Sequence, residues 1–262
     1  MIQVDVPHAA SLLLEMRNTM RTIPQLPDGL RPGSPDEAYA IQDALVAAGG
    51  WDIAALKVGC TSEAAQQALG IHEPIAGRVP RGAVVSSGAS VAASTFHHEA
   101  PMIECEFALR IGADVGVDDD VSELAEVHDV VDAVAPALEL VDNRFDEFFG
   151  VSAESIMADN SAVSAMVLGE PVSTADVDDL EELSVRLVCE GEELATGVGA
   201  DVMGDPYRSL RWVLGHERRR GRGVAAGTWV ITGTCTGLVP FPVGQRVEAH
   251  FAQLGSVAVT VG

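Results

Sequence analysis

Lysine is almost absent from this chain. One residue of 262, Lys57, carries an ammonium side chain, and arginine supplies every other basic position. Positive charge in general is scarce, since 39 acidic residues against 16 basic ones leave a formal charge of −23. A surface of that sign repels phosphate backbones and anionic headgroups, so neither nucleic acid nor a membrane surface is an expected partner. The arginine bias fits genome composition, and the acidity fits a salty habitat. Cysteine is sparse too: Cys60, Cys105, Cys189 and Cys235 stand far apart with no C-x-x-C pair. That spacing indicates neither a zinc site nor a disulfide framework, and it suits a reducing cytoplasm. No apolar run reaches the roughly 18 residues of a membrane span, and no basic region followed by a long apolar run opens the chain, so a soluble protein is expected.

Apolar residues make up 47% of the sequence, enough for a globular core and too many for disorder. At this length one good core is the default. Within it, Ile103-Glu104-Cys105-Glu106-Phe107-Ala108-Leu109 alternates with the period of a β-strand. Glu104 and Glu106 therefore share a face, about 7 Å apart, while Ile103, Cys105 and Phe107 face a core. Two carboxylates in an otherwise apolar strand repel each other and lose solvation, and a divalent cation with oxygen ligands is the simplest offset. The alternative is the solvated face of an edge strand. A third acid tips the balance. Glu139 stands alone in the apolar run from Ala135 to Val141, and a glutamate is rarely buried unless paired or bound. Three interior carboxylates suit Mg²⁺ or Mn²⁺ with positions left open for water or a chelating substrate.

Around this strand pair the chain reads as follows. Ala9, Leu12, Leu13, Met16 and Met20 mark a first amphipathic helix, followed by a Pro/Gly-rich linker from Ile23 to Gly33. Ser34-Pro35-Asp36-Glu37 starts a second helix with Ala38, Ile41, Leu45 and Ala48 on its buried stripe and Gly49-Gly50 at its end. Ala54–Gly59 is an interior strand carrying Lys57, and Thr61 or Ser62 caps a helix that ends near Gly70. A lysine there either snorkels to solvent or meets the interior acids. Asp114–Asp120 is a solvated acidic loop, and Ser122 caps a helix with Leu124, Val127, Val131 and Val134. Phe145, Phe148 and Phe149 fall in a loop. Ala158-Asp159-Asn160-Ser161 precedes an apolar run to Leu168, as turn formers or as donors to a bound carboxylate.

The C-terminal third is β-rich, with a hairpin around Gly191, a helix from Asp205-Pro206, and strands Trp229–Thr232, Arg246–Phe251 and Ser256–Val261. Arg218-Arg219-Arg220-Gly221-Arg222 sits near a helix C-terminus, where cations are favourable, so it is not read as a nucleic-acid site. Gly197-x-Gly199 lacks the context of a dinucleotide site, and of His97-His98-Glu99 at most one histidine could join any metal site.

The ordered motifs Lys57-Val58-Gly59-Cys60-Thr61-Ser62, Glu104-x-Glu106, Pro136-Ala137-Leu138-Glu139-Leu140 and Ala158-Asp159-Asn160-Ser161 resemble one family. It is the 2-keto-4-pentenoate hydratase and 4-oxalocrotonate decarboxylase group of the fumarylacetoacetate hydrolase-like superfamily. The resemblance runs from about residue 35 to the C-terminus, including Gly255-Ser256-Val257. It implies an α+β fold: a mixed β-roll core over residues 51–262 with a helical N-terminal part over residues 1–50. It also implies Mg²⁺ or Mn²⁺ on Glu104, Glu106 and Glu139, with Lys57 as catalytic residue. Thr61, Ser62, Asn160, Ser161, Thr232 and Gly233 are the substrate-binding candidates. The implied substrate is a small 2-oxo or 2-hydroxydienoic acid of aromatic meta-cleavage catabolism, and a cytoplasmic homo-oligomer is expected.

Two departures bear on the reaction. Hydratases of this group usually carry Pro-Asp-Phe-Gly, and here Pro74-Ile75-Ala76-Gly77 puts Ile75 in place of the acid. Their Gly-His-Pro is Gly204-Asp205-Pro206. The expected activity is hydration of a 2-hydroxy-2,4-dienoate, with 2-oxo acid decarboxylation as the alternative favoured by Ile75. An acylpyruvate-type C–C hydrolase and a non-catalytic partner subunit are the remaining readings.

Overall fold

In a computed structural model, which describes residues 4–121 and 123–262, the elements follow the sequence pattern with few exceptions. Helices α1 (Val6–Thr19) and α2 (Pro35–Gly49) come first. Asp5 and Ser34 cap their N-termini, and each has a proline in the first turn, whose missing N–H costs nothing there. Next come β1 (Ile53–Gly59), the short α3 (Glu63–Leu69) capped by Ser62, and β2 (Ile75–Pro80). Strands β3 (Val84–Ser86) and β4 (Ala89–Val91) lead to the two long strands, β5 (Met102–Ile111) and β6 (Val131–Val141), separated by α4 (Leu124–Asp129). Helix α5 (Ala153–Ala158), β7 (Val163–Leu168) and β8 (Val172–Ser173) precede the hairpin of β9 (Ser184–Cys189) and β10 (Glu192–Val198). Helix α6 (Pro206–Arg219) and strands β11 (Trp229–Thr234), β12 (Val239–Pro240), β13 (Arg246–Phe251) and β14 (Gly255–Val261) complete the chain.

The strands form two mixed sheets. The larger has the order β2-β1-β11-β5-β6-β7-β3, with β12 added on β5 and β8 on β6; the smaller runs β10-β9-β13-β14-β4. Alternation gives the central pair β5–β6 two unlike faces. Ile103, Cys105, Phe107 and Leu109 enter the main core, which extends from α1 and α2 to the second sheet, where Phe107 meets Phe251 edge-on at 5.3 Å. The other face carries small residues, Ala108, Ala135 and Ala137, in a separate cluster with Val79, Val163 and Ile231. Small side chains leave room on that face, and the glutamates stand on it.

Some expectations are corrected. Val131 and Val134 belong to β6, because α4 stops after six residues and the β-branched run pairs with β5. The expected cap Ser122 lies outside the described residues. Ala48 is exposed, so the buried stripe of α2 ends at Leu45 and Val46. Gly197 and Gly199 are tight backbone crossings, where a Cβ would lie 1.9 Å from the Cys235 and Leu180 carbonyl oxygens. The arginines at and beyond the end of α6 are paired with acids: Arg218 with Asp120, Arg220 with Asp43, and Arg222 with Glu217 and Asp43. Among the described residues no helix is long and apolar enough to cross a membrane.

Candidate metal and substrate site

Register places the acids. Glu104 of β5 lies directly opposite Glu139 of β6, and Glu106 pairs with Ala137 one step along the same face. Like charges directly across a ladder are destabilising, and all three side chains are buried, Glu106 and Glu139 completely. Their ligand oxygens lie within 4.8 Å of one another. Glu106 Oε2 accepts the Gly233 N–H at 2.6 Å, but Glu106 Oε1 and both Glu139 oxygens have no hydrogen-bond partner. Buried polar atoms are seldom left so.

Lys57 arrives from β1, across β11. It can do so because β11 bulges between Ile231 and Thr234, with Gly233 at φ +104°, so that no side chain fills the gap. A Cβ at Gly233 would lie 2.5 Å from Thr61 Cγ2 and Oγ1. Lys57 Nζ donates to the Ser161 carbonyl at 2.8 Å and stands 3.4 Å from Glu139 Oε1. That carbonyl is aimed by an unusual turn. Asn160, Ser161 and Ala162 all have positive φ (55°, 52° and 60°), a conformation that persists only when its surroundings impose it. The surroundings are identifiable. Asn160 Oδ1 accepts the Arg78 N–H (2.9 Å) and Nδ2 donates to the Arg78 carbonyl (2.7 Å), while Ser161 Oγ donates to the Ala76 carbonyl (2.6 Å). Asp159 accepts from Arg144 Nε at 2.7 Å and from Arg17 at 3.0 Å. Gly77 lets β2 pass this close, since a Cβ there would sit 2.8 Å from the Asn160 oxygen.

Three carboxylates and one ammonium leave two negative charges when all are ionised, which matches one divalent cation. In the protein alone, burial and then repulsion from Glu139 push Glu104 up to about 8, against the pull of Lys57. Burial, then Glu139 and Glu104, hold Glu106 well above the carboxylate range. Burial also raises Glu139, although Lys57 opposes it. Burial works to lower Lys57, but Glu139, Glu104 and Glu106 outweigh it and hold the ammonium above its ordinary value. The orphaned oxygens, the hard donor set and the charge deficit all fit a small divalent cation.

Above the cluster opens a cavity of ≈ 190 Å³. Lys57, Glu104, Thr61, Ser62 and Ser161 line it, which brings four of the candidates together with one carboxylate. Asn160 and Thr232 do not line it. Both side-chain groups of Asn160 are taken by the Arg78 backbone, and Thr232 Oγ1 donates to the Phe107 carbonyl at 3.0 Å. Gly233 acts on Glu106 through its N–H. His97 and His98 lie in a loop and turn to Asp142 and Asn143, away from the carboxylates. Sequence reasoning missed the apolar wall, to which Ile75, Phe148, Phe149 and Leu238 contribute. The one available signal was Phe145, Phe148 and Phe149 crowding a loop in a chain that is only 5% aromatic.

The pattern of the fumarylacetoacetate hydrolase C-terminal family matches residues 57–262. The chain belongs to this family. Among its relatives, the 2-keto-4-pentenoate hydratase of Paraburkholderia xenovorans (strain LB400) is 29% identical over 253 residues, covering 95% of this chain and 92% of the hydratase. The 4-oxalocrotonate decarboxylase of Pseudomonas putida is 31% identical over 207 residues, 79% of this chain and 76% of the decarboxylase. The solved structure of 4-oxalocrotonate decarboxylase from Pseudomonas putida G7, complexed with magnesium and adipate, superposes with a TM-score of 0.90 at 28% identity, covering 98% of this chain and 97% of that one. The fold is thus the family's α+β architecture of mixed sheets, with helices at the N-terminus.

Proposed function

We propose that the protein is a divalent-metal-dependent hydro-lyase that hydrates a 2-hydroxy-2,4-dienoate, Mg²⁺ or Mn²⁺ being held by Glu104, Glu106 and Glu139. The observation that carries this reading is the buried carboxylate cluster, with three oxygens that lack a hydrogen-bond partner, beside the chain's one lysine at the floor of a cavity. Relatives named 2-keto-4-pentenoate hydratase align over nearly the whole chain and support the choice of reaction. When bound, the cation supplies a Lewis acid that draws negative charge onto the 2-oxo oxygen of the substrate.

The chain's own groups do the rest. Thr61, at the polar end of the cavity, orients the substrate carboxylate, while Ser161, its hydroxyl proton given to the Ala76 carbonyl, holds the turn that fixes Lys57. Ketonisation removes the proton from the 2-hydroxyl and places one on C5, giving a ketone conjugated through C3=C4. Water then adds its hydroxyl at C4 and a proton at C3. Lys57 Nζ, fixed by the Ser161 carbonyl and by Glu139, is the group that holds or passes a proton in these steps. The apolar wall keeps bulk water away from the reacting carbons. A second reading is decarboxylation of a 2-oxo acid. Ile75 favours it, since this residue lines the cavity where hydratases of the group carry an acid.

Incubating the Mg²⁺-loaded protein with 2-hydroxypenta-2,4-dienoate and, separately, with 2-oxohex-3-enedioate separates the two by product. The 4-hydroxy-2-oxo acid from the first, without gas evolution, is the expected result. Release of CO₂ from the second, with no hydration of the first, would establish the decarboxylase instead.

A further inference from the structure

The cavity above the carboxylates has two chemically different ends. Its polar end holds Lys57, Glu104, Thr61 and Ser161. The remaining wall is mostly apolar and carries no charge, and among the described residues that line the cavity Lys57 is the one cation. That ammonium is already engaged by the Ser161 carbonyl and Glu139. The other polar groups on the wall, including Cys60, Ser62, Asn143 and Thr234, are neutral. Asn143 is turned away from any guest, its Nδ2 donating to the Phe148 carbonyl at 2.7 Å and its Oδ1 accepting the Phe145 N–H at 3.0 Å. The His98 imidazole stands behind the wall, with its ring against Phe148 and Nε2 on Asn143 Oδ1.

At the mouth, Phe149 is 60% exposed and Leu238 38%, two of the few large apolar side chains left open to water. Phe149 leans edge-on against Phe148 at 4.8 Å, so this surface is part of a packed aromatic pair. A guest that covered it would gain apolar burial. A guest with a second carboxylate would lose its hydration against that wall, with no counter-charge there and a chain of net charge −23 around it.

We propose that Leu69, Ile75, Phe148, Phe149, Ile156 and Leu238 form a subsite for an uncharged alkyl or aryl tail, so that the substrate is a monocarboxylic acid and dicarboxylates are rejected. This rests on the functional reading above and narrows it. The choice matters because adipate, a dicarboxylate, occupies the related decarboxylase structure.

Calorimetry on the Mg²⁺-loaded protein tests it with four unreactive 2-oxo acids: 2-oxobutanoate, 2-oxohexanoate, 2-oxooctanoate and 2-oxoadipate. Each buried methylene is expected to tighten binding about threefold, so 2-oxohexanoate should exceed 2-oxobutanoate by about tenfold. The matched pair decides the charge question: 2-oxoadipate should bind at least about tenfold more weakly than 2-oxohexanoate. Phe149→Ser should flatten the chain-length series, and Leu238→Arg should shift preference toward 2-oxoadipate. Both positions are exposed, so the fold tolerates the changes. A flat series in the wild-type protein, or 2-oxoadipate binding as tightly as 2-oxohexanoate, overturns the tail subsite and leaves the metal-site reading standing. Failure of all four acids to bind overturns the functional reading itself, and the tail subsite with it.

Discussion

A single ammonium group offsets three buried carboxylates, and that imbalance governs what single substitutions will do. Lys57→Met removes the positive charge 3.4 Å from Glu139 while keeping most of the side-chain volume. Turnover is expected to fall by about 10²–10⁴-fold, as for loss of a proton-transferring group. Mg²⁺ affinity, measured by calorimetry, should hold or tighten because the site becomes more negative. A variant that turns over at the wild-type rate removes Lys57 from the mechanism. The acids also make the protein's stability respond to pH. Glu104 is held at about 8 in the folded protein against 4.5 for an ordinary glutamate, so the folded state without metal keeps a proton that the unfolded state has released. That contribution to stability is complete below about 4.5 and is lost as pH rises through about 8. Melting temperature in a chelator should therefore decline between about pH 5 and 8 and level off above that, and the decline should shrink in Glu104→Gln. Added Mg²⁺ should reverse the slope, because the cation binds the deprotonated cluster.

At the scale of elements, the site depends on two departures from regular structure. One is the bulge in β11, which opens a path for Lys57 and brings the Gly233 N–H to Glu106. Gly233→Ala places a methyl 2.5 Å from Thr61 at a backbone angle that disfavours a side chain. It should lower the melting temperature and weaken Mg²⁺ binding by about tenfold or more, since a buried hydrogen bond to a charged ligand is displaced. Retention of wild-type Mg²⁺ affinity would show that the Glu106 contact is dispensable. The other departure is the left-handed turn at Asn160–Ala162, held by Arg78 and Ala76 of β2. The β5–β6 strand pair was legible in the sequence, because a period of two and an apolar partner face require only local information. So were the proline-started, capped helices α1, α2 and α6. The bulge was not legible, and the turn was legible only as one of two readings of Asn160 and Ser161, its left-handed backbone not at all. Asn160 looked like a ligand donor for the same reason that it makes a good clamp: it is a small amide able to satisfy backbone groups.

For the molecule as a whole, the charge of −23 sets a condition on stability. Many acids are paired, as in Arg110–Asp132 and Arg81–Asp52, but these pairs are exposed and contribute little each. Self-repulsion among the remaining carboxylates should lower the melting temperature in dilute buffer, with recovery as NaCl screens them over a Debye length of about 10 Å at 0.1 M. KCl should act equally. A melting temperature that stays constant from low to high salt would mean that the acidity has no bearing on the fold.

The sequence by itself determined the chemistry available: three glutamates that an apolar strand pair cannot leave in water, one lysine, and motifs in the order of one family. These follow from alternation and composition, which act over a few residues. Only the tertiary structure decided which polar residues line the cavity. Asn160 and Thr232 are turned to backbone carbonyls and amides, while Ile75, Phe149 and Leu238, distant along the chain, meet in one wall. Side-chain direction at a turn and the joining of remote loops depend on long-range packing, for which local patterning carries no signal.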